Sequence, residues 1–147
     1  MLVNAGRLYF IHLSAFAAGI LSIYFPGMDI LVALIYLLVI ALEARRAYEL
    51  PLIQKIATGF IWQAPGLFFA LLLVSSYDFM GLYEYAIFML QFWFTPLLGL
   101  LSLAGINFYF DKPLYYYLLI YLPIISCVYY IGIASISFPG DPRGRCR

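Results

Sequence analysis

The apolar positions of this chain fall into long unbroken runs, with no alternation and no heptad stripe. No Asp, Glu, Lys or Arg occurs in residues 8–28, 56–77, 85–110 or 113–140. Each run exceeds the roughly 18 residues at which a bilayer-spanning helix becomes the default reading. Barrel strands alternate apolar and polar residues, so these runs argue against a transmembrane barrel. The pattern predicts an all-α fold: a polytopic transmembrane helical bundle of about five spans, at residues 8–25, 28–46, 56–77, 82–105 and 114–137. Residues 1–138 form the bundle domain and 139–147 a mobile basic tail.

The second span is the shortest. Only thirteen residues, 30–42, separate Asp29 from Glu43. At about 1.5 Å rise each they reach roughly 20 Å, short of a hydrocarbon core near 30 Å. Either the helix runs over 28–46, with Asp29 near one surface and Arg45 and Arg46 snorkelling to the other, or the segment is re-entrant or in-plane. Snorkelling is ordinary at helix ends, so the span is the reading adopted. Pro26-Gly27 marks a tight turn before it. Residues 43–55, the most charged stretch and broken by Pro51, read as a cytoplasmic loop.

Helical spacing groups particular residues on single faces. The first span places His12, Ala15, Gly19 and Ser22 together, and the third Gly59, Gln63, Gly66 and Ala70. Small residues let helix backbones approach closely, so Ala15, Gly19, Gly59, Gly66 and Ala70 are expected at helix–helix seams. The fourth span carries Glu84, Gln91, Thr95 and Ser102 within about 20° of one line, before any bend at Pro96. Trp62 and Trp93, the two tryptophans, each lie three residues before a proline inside an apolar run, at Pro65 and Pro96. The fifth span contains Pro123. Tyr77, Tyr83, Tyr85, Tyr109 and Tyr115–Tyr117 flank the loops, where a ring with a polar tip suits the headgroup level.

Composition sharpens the class. The chain is 66% hydrophobic and 10% charged, against about 25% charged in soluble domains. Net charge is +1, and no basic stripe exists, so nucleic acid is not expected as a partner. Cys127 lies deep in the last run and Cys146 in the tail, so a disulfide between them is not expected, and neither has metal-type spacing. Small residues sit inside the first run rather than after it, which argues for an uncleaved first helix over a signal peptide. With five spans and the N-terminus inside, the inner side holds Arg7, Arg45, Arg46, Lys55 and Lys112, and the outer side Arg143, Arg145 and Arg147: five basic residues against three. The positive-inside rule then predicts a cytoplasmic N-terminus and an external C-terminus, in a membrane of the bacterial cytoplasmic type.

Candidate chemistry is sparse. The stripe Glu84–Gln91–Thr95–Ser102, with His12 and Gln63, is the candidate substrate or ion path, because polar groups in hydrocarbon need partners and face the interior. The competing reading is hydrogen bonding that only holds helices together. His12, the single histidine, is a possible proton carrier or a neutral residue bonded to a neighbouring helix, with Gln63 or Gln91 as the expected partner. Arg45 and Arg46 are candidates for holding anionic lipid headgroups. No metal or cofactor is implied. The expected function is a non-enzymatic subunit or scaffold of a membrane complex, with membrane lipids and other membrane subunits or further copies of the chain as partners. The alternatives are a small transporter or channel using the polar stripe, and an intramembrane enzyme acting on lipids.

Overall fold

The computed structural model describes residues 2–22, 24–75, 81–103, 108–109 and 112–136. The expected tail 139–147, Tyr77, the acidic-loop residue Asp78 and the side chains of Tyr83, Glu84 and Tyr109 lie outside the described residues. The chain is all-α apart from one two-residue pairing: α1 (Leu2–Ser22), α2 (Met28–Arg46), α3 (Leu52–Ser75), α4 (Leu82–Trp93), α5 (Thr95–Ser102), an antiparallel pair of Phe108–Tyr109 with Lys112–Pro113, and α6 (Leu114–Ser135). The expected helical bundle is the observed fold. α1, α3 and α6 are each long and apolar enough to cross a membrane. Their outward faces expose large apolar side chains such as Phe10, Leu71 and Val128 at 64–74%, which suits lipid rather than water.

Charge did not end helices where the sequence pattern expected it to. α1 begins at Leu2 with Arg7 inside it, and α3 begins at Leu52 with Lys55 in its first turn. The expected loop 43–55 shrinks to residues 47–51. Glu, Arg and Lys are good helix formers, so polarity moves a residue to the headgroup level without unwinding the chain. α2 keeps the expected bounds, 28–46. It starts after Gly27, whose φ of +83° is left-handed and suits a residue without Cβ.

Contacts fix the relative directions. Arg7 meets Glu43 and His12 meets Tyr36, so α1 and α2 are antiparallel neighbours. Tyr9 reaches Ile61, which sets α3 parallel to α1. Gly59 lies under Tyr130 and Ile131, so the end of α6 packs against the start of α3. α6 is therefore antiparallel to α3 and ends where α1 begins.

The expected fourth span, 82–105, is not one helix. It is two, α4 and α5, bent by 93° at Phe94. α4 descends from the end where α3 finishes and brings Trp93 and Phe94 against Gly66, half-way along α3. α5 then turns back. Its Thr95 sits over Gly19 near the end of α1, and its Gly99 lies on the backbone of Asp29 and Ile30 at the start of α2. Both ends of the α4–α5 pair thus lie at one end of the bundle. The pair is re-entrant, and α6 starts from the end at which α4 began. Five crossings would have placed the end of α6 opposite the start of α1; the re-entrant pair places them together.

Two prolines in similar phrases have different consequences, and hydrogen bonding accounts for how each is accommodated. A proline cannot donate to the carbonyl four residues earlier. For Pro65 that carbonyl is Ile61 O, and the Tyr9 hydroxyl donates to it at 2.7 Å. α3 continues through. For Pro96 it is Phe92 O, which accepts the Thr95 hydroxyl at 2.8 Å. Leu97 N–H bonds Phe94 O rather than Trp93 O, so the Trp93 carbonyl is released at the break and must find a donor elsewhere.

Candidate functional site

The donor to Trp93 O is His12. Its Nε2 lies 2.8 Å from that carbonyl and its Nδ1 2.7 Å from the Tyr36 hydroxyl. A carbonyl can only accept, so Nε2 carries the proton; in the neutral ring Nδ1 then accepts from Tyr36. The imidazole also stacks on the Trp93 indole, ring centres 4.2 Å apart and 25° from parallel. Trp62 approaches edge-on at 6.3 Å. α1, α2 and the α4–α5 break therefore meet at one side chain, which is 1% exposed. In a bilayer there is no water to drive helices together, so satisfied polar contacts and close packing decide association.

Gln63 completes this centre. Its Oε1 accepts a long bond from Trp93 Nε1 at 3.4 Å. Gln63 Nε2 and Trp62 Nε1 are buried donors with no protein partner. An unpaired buried donor is unfavourable by about 1–3 kcal/mol, so two of them on adjacent residues are the least settled polar atoms of the described structure.

The structure brings His12 and Gln63 together around Trp93 but distributes the rest of the stripe. Gln91 Nε2 donates to the Tyr115 hydroxyl on α6 at 3.3 Å. Thr95 and Ser102 turn their hydroxyls to carbonyls of their own helical turns, Phe92 O and Gly99 O. The 93° bend takes Ser102, which is exposed, off the line of Gln91. Glu84 falls in α4, and its side chain lies outside the described residues. Of the packing residues, Gly66 faces Trp93 and Phe94, Gly19 faces Thr95 and Gly59 faces Tyr130. Ala70 is buried, and Ala15 packs against the core from α1.

A second cluster lies at the end where α1 starts. Glu43 is buried, its side chain 7% exposed; it accepts from Arg46 at 2.9 Å and forms an ion pair with Arg7 at 3.2 Å. Sequence reasoning had Glu43 in a solvated loop; its position three residues before Arg46 on a helix was the signal that it could pair. Nearby, Lys55 is buried with its ammonium 5.2 Å above the Tyr48 ring. Two further residues were missed. Tyr36 carried no signal, whereas Tyr9 answers a demand visible in sequence, the carbonyl freed by Pro65.

Among the described residues, no three His, Cys, Asp or Glu side chains converge in a way that could hold a metal ion. Two open cavities lie between α1 and α2 on the outside of the bundle. One, of about 540 Å³, is bordered by Arg7, Glu43 and Arg46; the other, of about 310 Å³, adjoins it through Phe10, Ile11 and Val39. No known protein family, curated protein or solved structure matches the chain.

Proposed function

We propose that this chain is a non-enzymatic integral membrane protein that acts as a subunit or scaffold of a membrane complex. The supporting observation is how the central polar residues are used. Both nitrogens of His12 hold the helix break to α2, leaving neither for a reactant. A bundle whose central polar side chains are committed to holding its own helices fits a structural part in a larger membrane assembly.

The same reading carries an orientation. With α6 ending beside the start of α1, Arg7, Arg45, Arg46 and Lys55 share one end, and Lys112 precedes α6 at the other. Among the described residues that is a bias of four basic residues against one, which supports a cytoplasmic position for the end holding the start of α1 and the end of α6, in a bacterial-type inner membrane.

One observation favours a second reading, a small transporter or channel. Broken helices meeting near the middle of a bundle build substrate sites in transporters, and the break at Phe94 lies next to the unpaired donors of Trp62 and Gln63. Native mass spectrometry from nanodiscs, with cross-linking in intact membranes, separates the two. A fixed stoichiometry above one chain is expected. A chain that stays monomeric and supports solute uptake in proteoliposomes, with uptake lost in Glu84→Gln, refutes the scaffold reading in favour of the transporter.

A further inference from the structure

We propose that the groove between α1 and α2 binds one anionic glycerophospholipid, its phosphate on Arg7 and Arg46 and one acyl chain in the apolar trough beyond them. The inference goes beyond the scaffold reading and stands whether the bundle is a subunit or a transporter.

The charge arrangement is built for an anion. Two guanidinium groups share one carboxylate, which leaves the cluster a net charge of +1. Glu43 sits inside, 7% exposed, while the Arg7 and Arg46 side chains are 51% and 65% exposed. The carboxylate holds both cations on the rim, and each meets it through Nη1. A guanidinium has five N–H donors, so both retain outward donors in the planar geometry that suits phosphate. Arg7 near the start of α1 and Arg46 at the end of α2 lie at the headgroup level of one leaflet.

The trough suits a hydrocarbon chain. Its lining includes Phe10, Ile11, Ala18, Val32 and Val39. Its two hydroxyl-bearing residues are already engaged: Ser14 donates to Phe10 O at 2.9 Å, and Tyr36 to His12. Water would find no partner there. Measured from the cations, the trough runs about 16 Å from Arg7 to Ala18 and about 21 Å from Arg46 to Val32 at 1.5 Å per residue, a little more than the roughly 15 Å depth of one leaflet. A neighbouring transmembrane helix needs a seam through both leaflets, about 30 Å, and this trough stops short of that. Gly6 lies on the border beside Arg7, and a Cβ placed there meets no atom within 4 Å. A side chain at position 6 therefore meets no clash at its Cβ, and a larger one extends into the groove.

The test uses the full chain in nanodiscs of 1:1 phosphatidylglycerol and phosphatidylcholine, released into native mass spectrometry. One phosphatidylglycerol is expected to stay bound at collision energies that strip phosphatidylcholine, with at least a tenfold preference. Arg7→Ala/Arg46→Ala and, separately, Gly6→Leu are expected to lower that retention at least tenfold. Glu49→Gln, at an exposed position outside the groove, should leave it unchanged. Circular dichroism and thermal melts establish folding, and Gly6→Leu keeps the proposal testable if the double variant unfolds. Equal retention of both lipids, unchanged retention in folded variants, displacement by millimolar inorganic phosphate, or cross-linking of this face to a second copy overturns the proposal.

Discussion

Gly99 is the tightest of the described glycines. A Cβ added there would lie 2.6 Å from the Asp29 carbonyl carbon, 2.7 Å from its oxygen and 2.8 Å from Ile30 N. Ordinary carbon contacts lie near 3.5–4.0 Å, so α5 and the first turn of α2 would have to separate by about 1 Å. All three atoms are backbone, and no rotamer change relieves them. Overpacking is unfavourable by about 1–3 kcal/mol, and three rigid contacts put Gly99→Ala at the upper end. Replacing a helical glycine by alanine returns about 1 kcal/mol, for a net loss near 2 kcal/mol. Gly59 is the matched control. Its Cβ would meet Tyr130 at 3.6 Å and Ile131 at 3.7 Å, ordinary contact distances. Gly59→Ala should therefore keep the ~1 kcal/mol gain, and the two variants should differ by about 3 kcal/mol. The assay is reversible unfolding in mixed micelles by titration with sodium dodecyl sulfate, followed by tryptophan fluorescence, since Trp62 and Trp93 both lie at the centre that α5 closes. If Gly99→Ala proves as stable as Gly59→Ala, α5 is not seated on the start of α2, and the re-entrant arrangement falls with it.

Three further outcomes follow from the same geometry. Reporters placed after Ile136 and before Leu2 should be accessible from the same side of the membrane; opposite-side labelling would show that α4 and α5 cross it as one unit. Tyr36→Phe removes one buried bond to His12 and should destabilise the bundle by about 1 kcal/mol, whereas His12→Ala also strands Trp93 O and leaves a void, for about 3 kcal/mol or more; equal effects in micelle unfolding would mean that His12 does not hold the break. Glu43→Gln leaves Arg7 and Arg46 without their shared anion at a buried position, and a lowered melting temperature is expected. The partners are more than a third exposed, so the loss should stay near 1 kcal/mol, and a variant as stable as the parent would show that burial rather than pairing holds Glu43 in place.

What was legible in the sequence was the solvent and the faces. Charge-free runs marked the helices, and α2 spans the residues expected of it because its end charges, Asp29, Arg45 and Arg46, can lie at the surfaces while the middle is buried. Gly19, Gly59 and Gly66 met neighbours because helical spacing puts them on the inward sides of α1 and α3. The path of the chain was not legible. Residues 85–110 carry no charge, and hydropathy reports only that a segment prefers lipid, not whether it crosses or turns back. The decisive contacts join Gly99 to Asp29 and Trp93 to His12, 70 and 81 residues apart, and no local pattern encodes such pairs. The stripe from Glu84 to Ser102 was drawn on a straight helix, and the bend takes Ser102 off its line. His12 was correctly expected to bond a neighbouring helix, but its partners are a tyrosine hydroxyl and a carbonyl exposed by that same bend.

The remaining question is whether Pro96 makes the break or only occupies it. Trp62-Gln63-Ala64-Pro65 and Trp93-Phe94-Thr95-Pro96 are similar phrases, yet α3 runs on and α4 stops, so proline alone does not decide. Tertiary contacts differ more. At Pro65 a single hydroxyl from Tyr9 answers the freed carbonyl, and Gly66 lets Trp93 and Phe94 close against the helix. At Pro96 the chain is held on both sides of the bend, by His12 on Trp93 O and by Gly99 against α2. Straightening 82–102 would make one helix about 30 Å long, start α6 at the wrong end and abolish its antiparallel packing on α3. Restoring one N–H at position 96 offers about 1 kcal/mol for one new backbone bond, and up to ~3 kcal/mol with the relief of proline in a helix. That is less than the loss of a whole helix–helix seam. Pro96→Ala is therefore expected to keep the bend, with reporters before Leu2 and after Ile136 still on one side and micelle stability changed by less than ~1 kcal/mol. A switch of the α6 end to the opposite side would show that the proline, and not His12 and Gly99, turns the chain back.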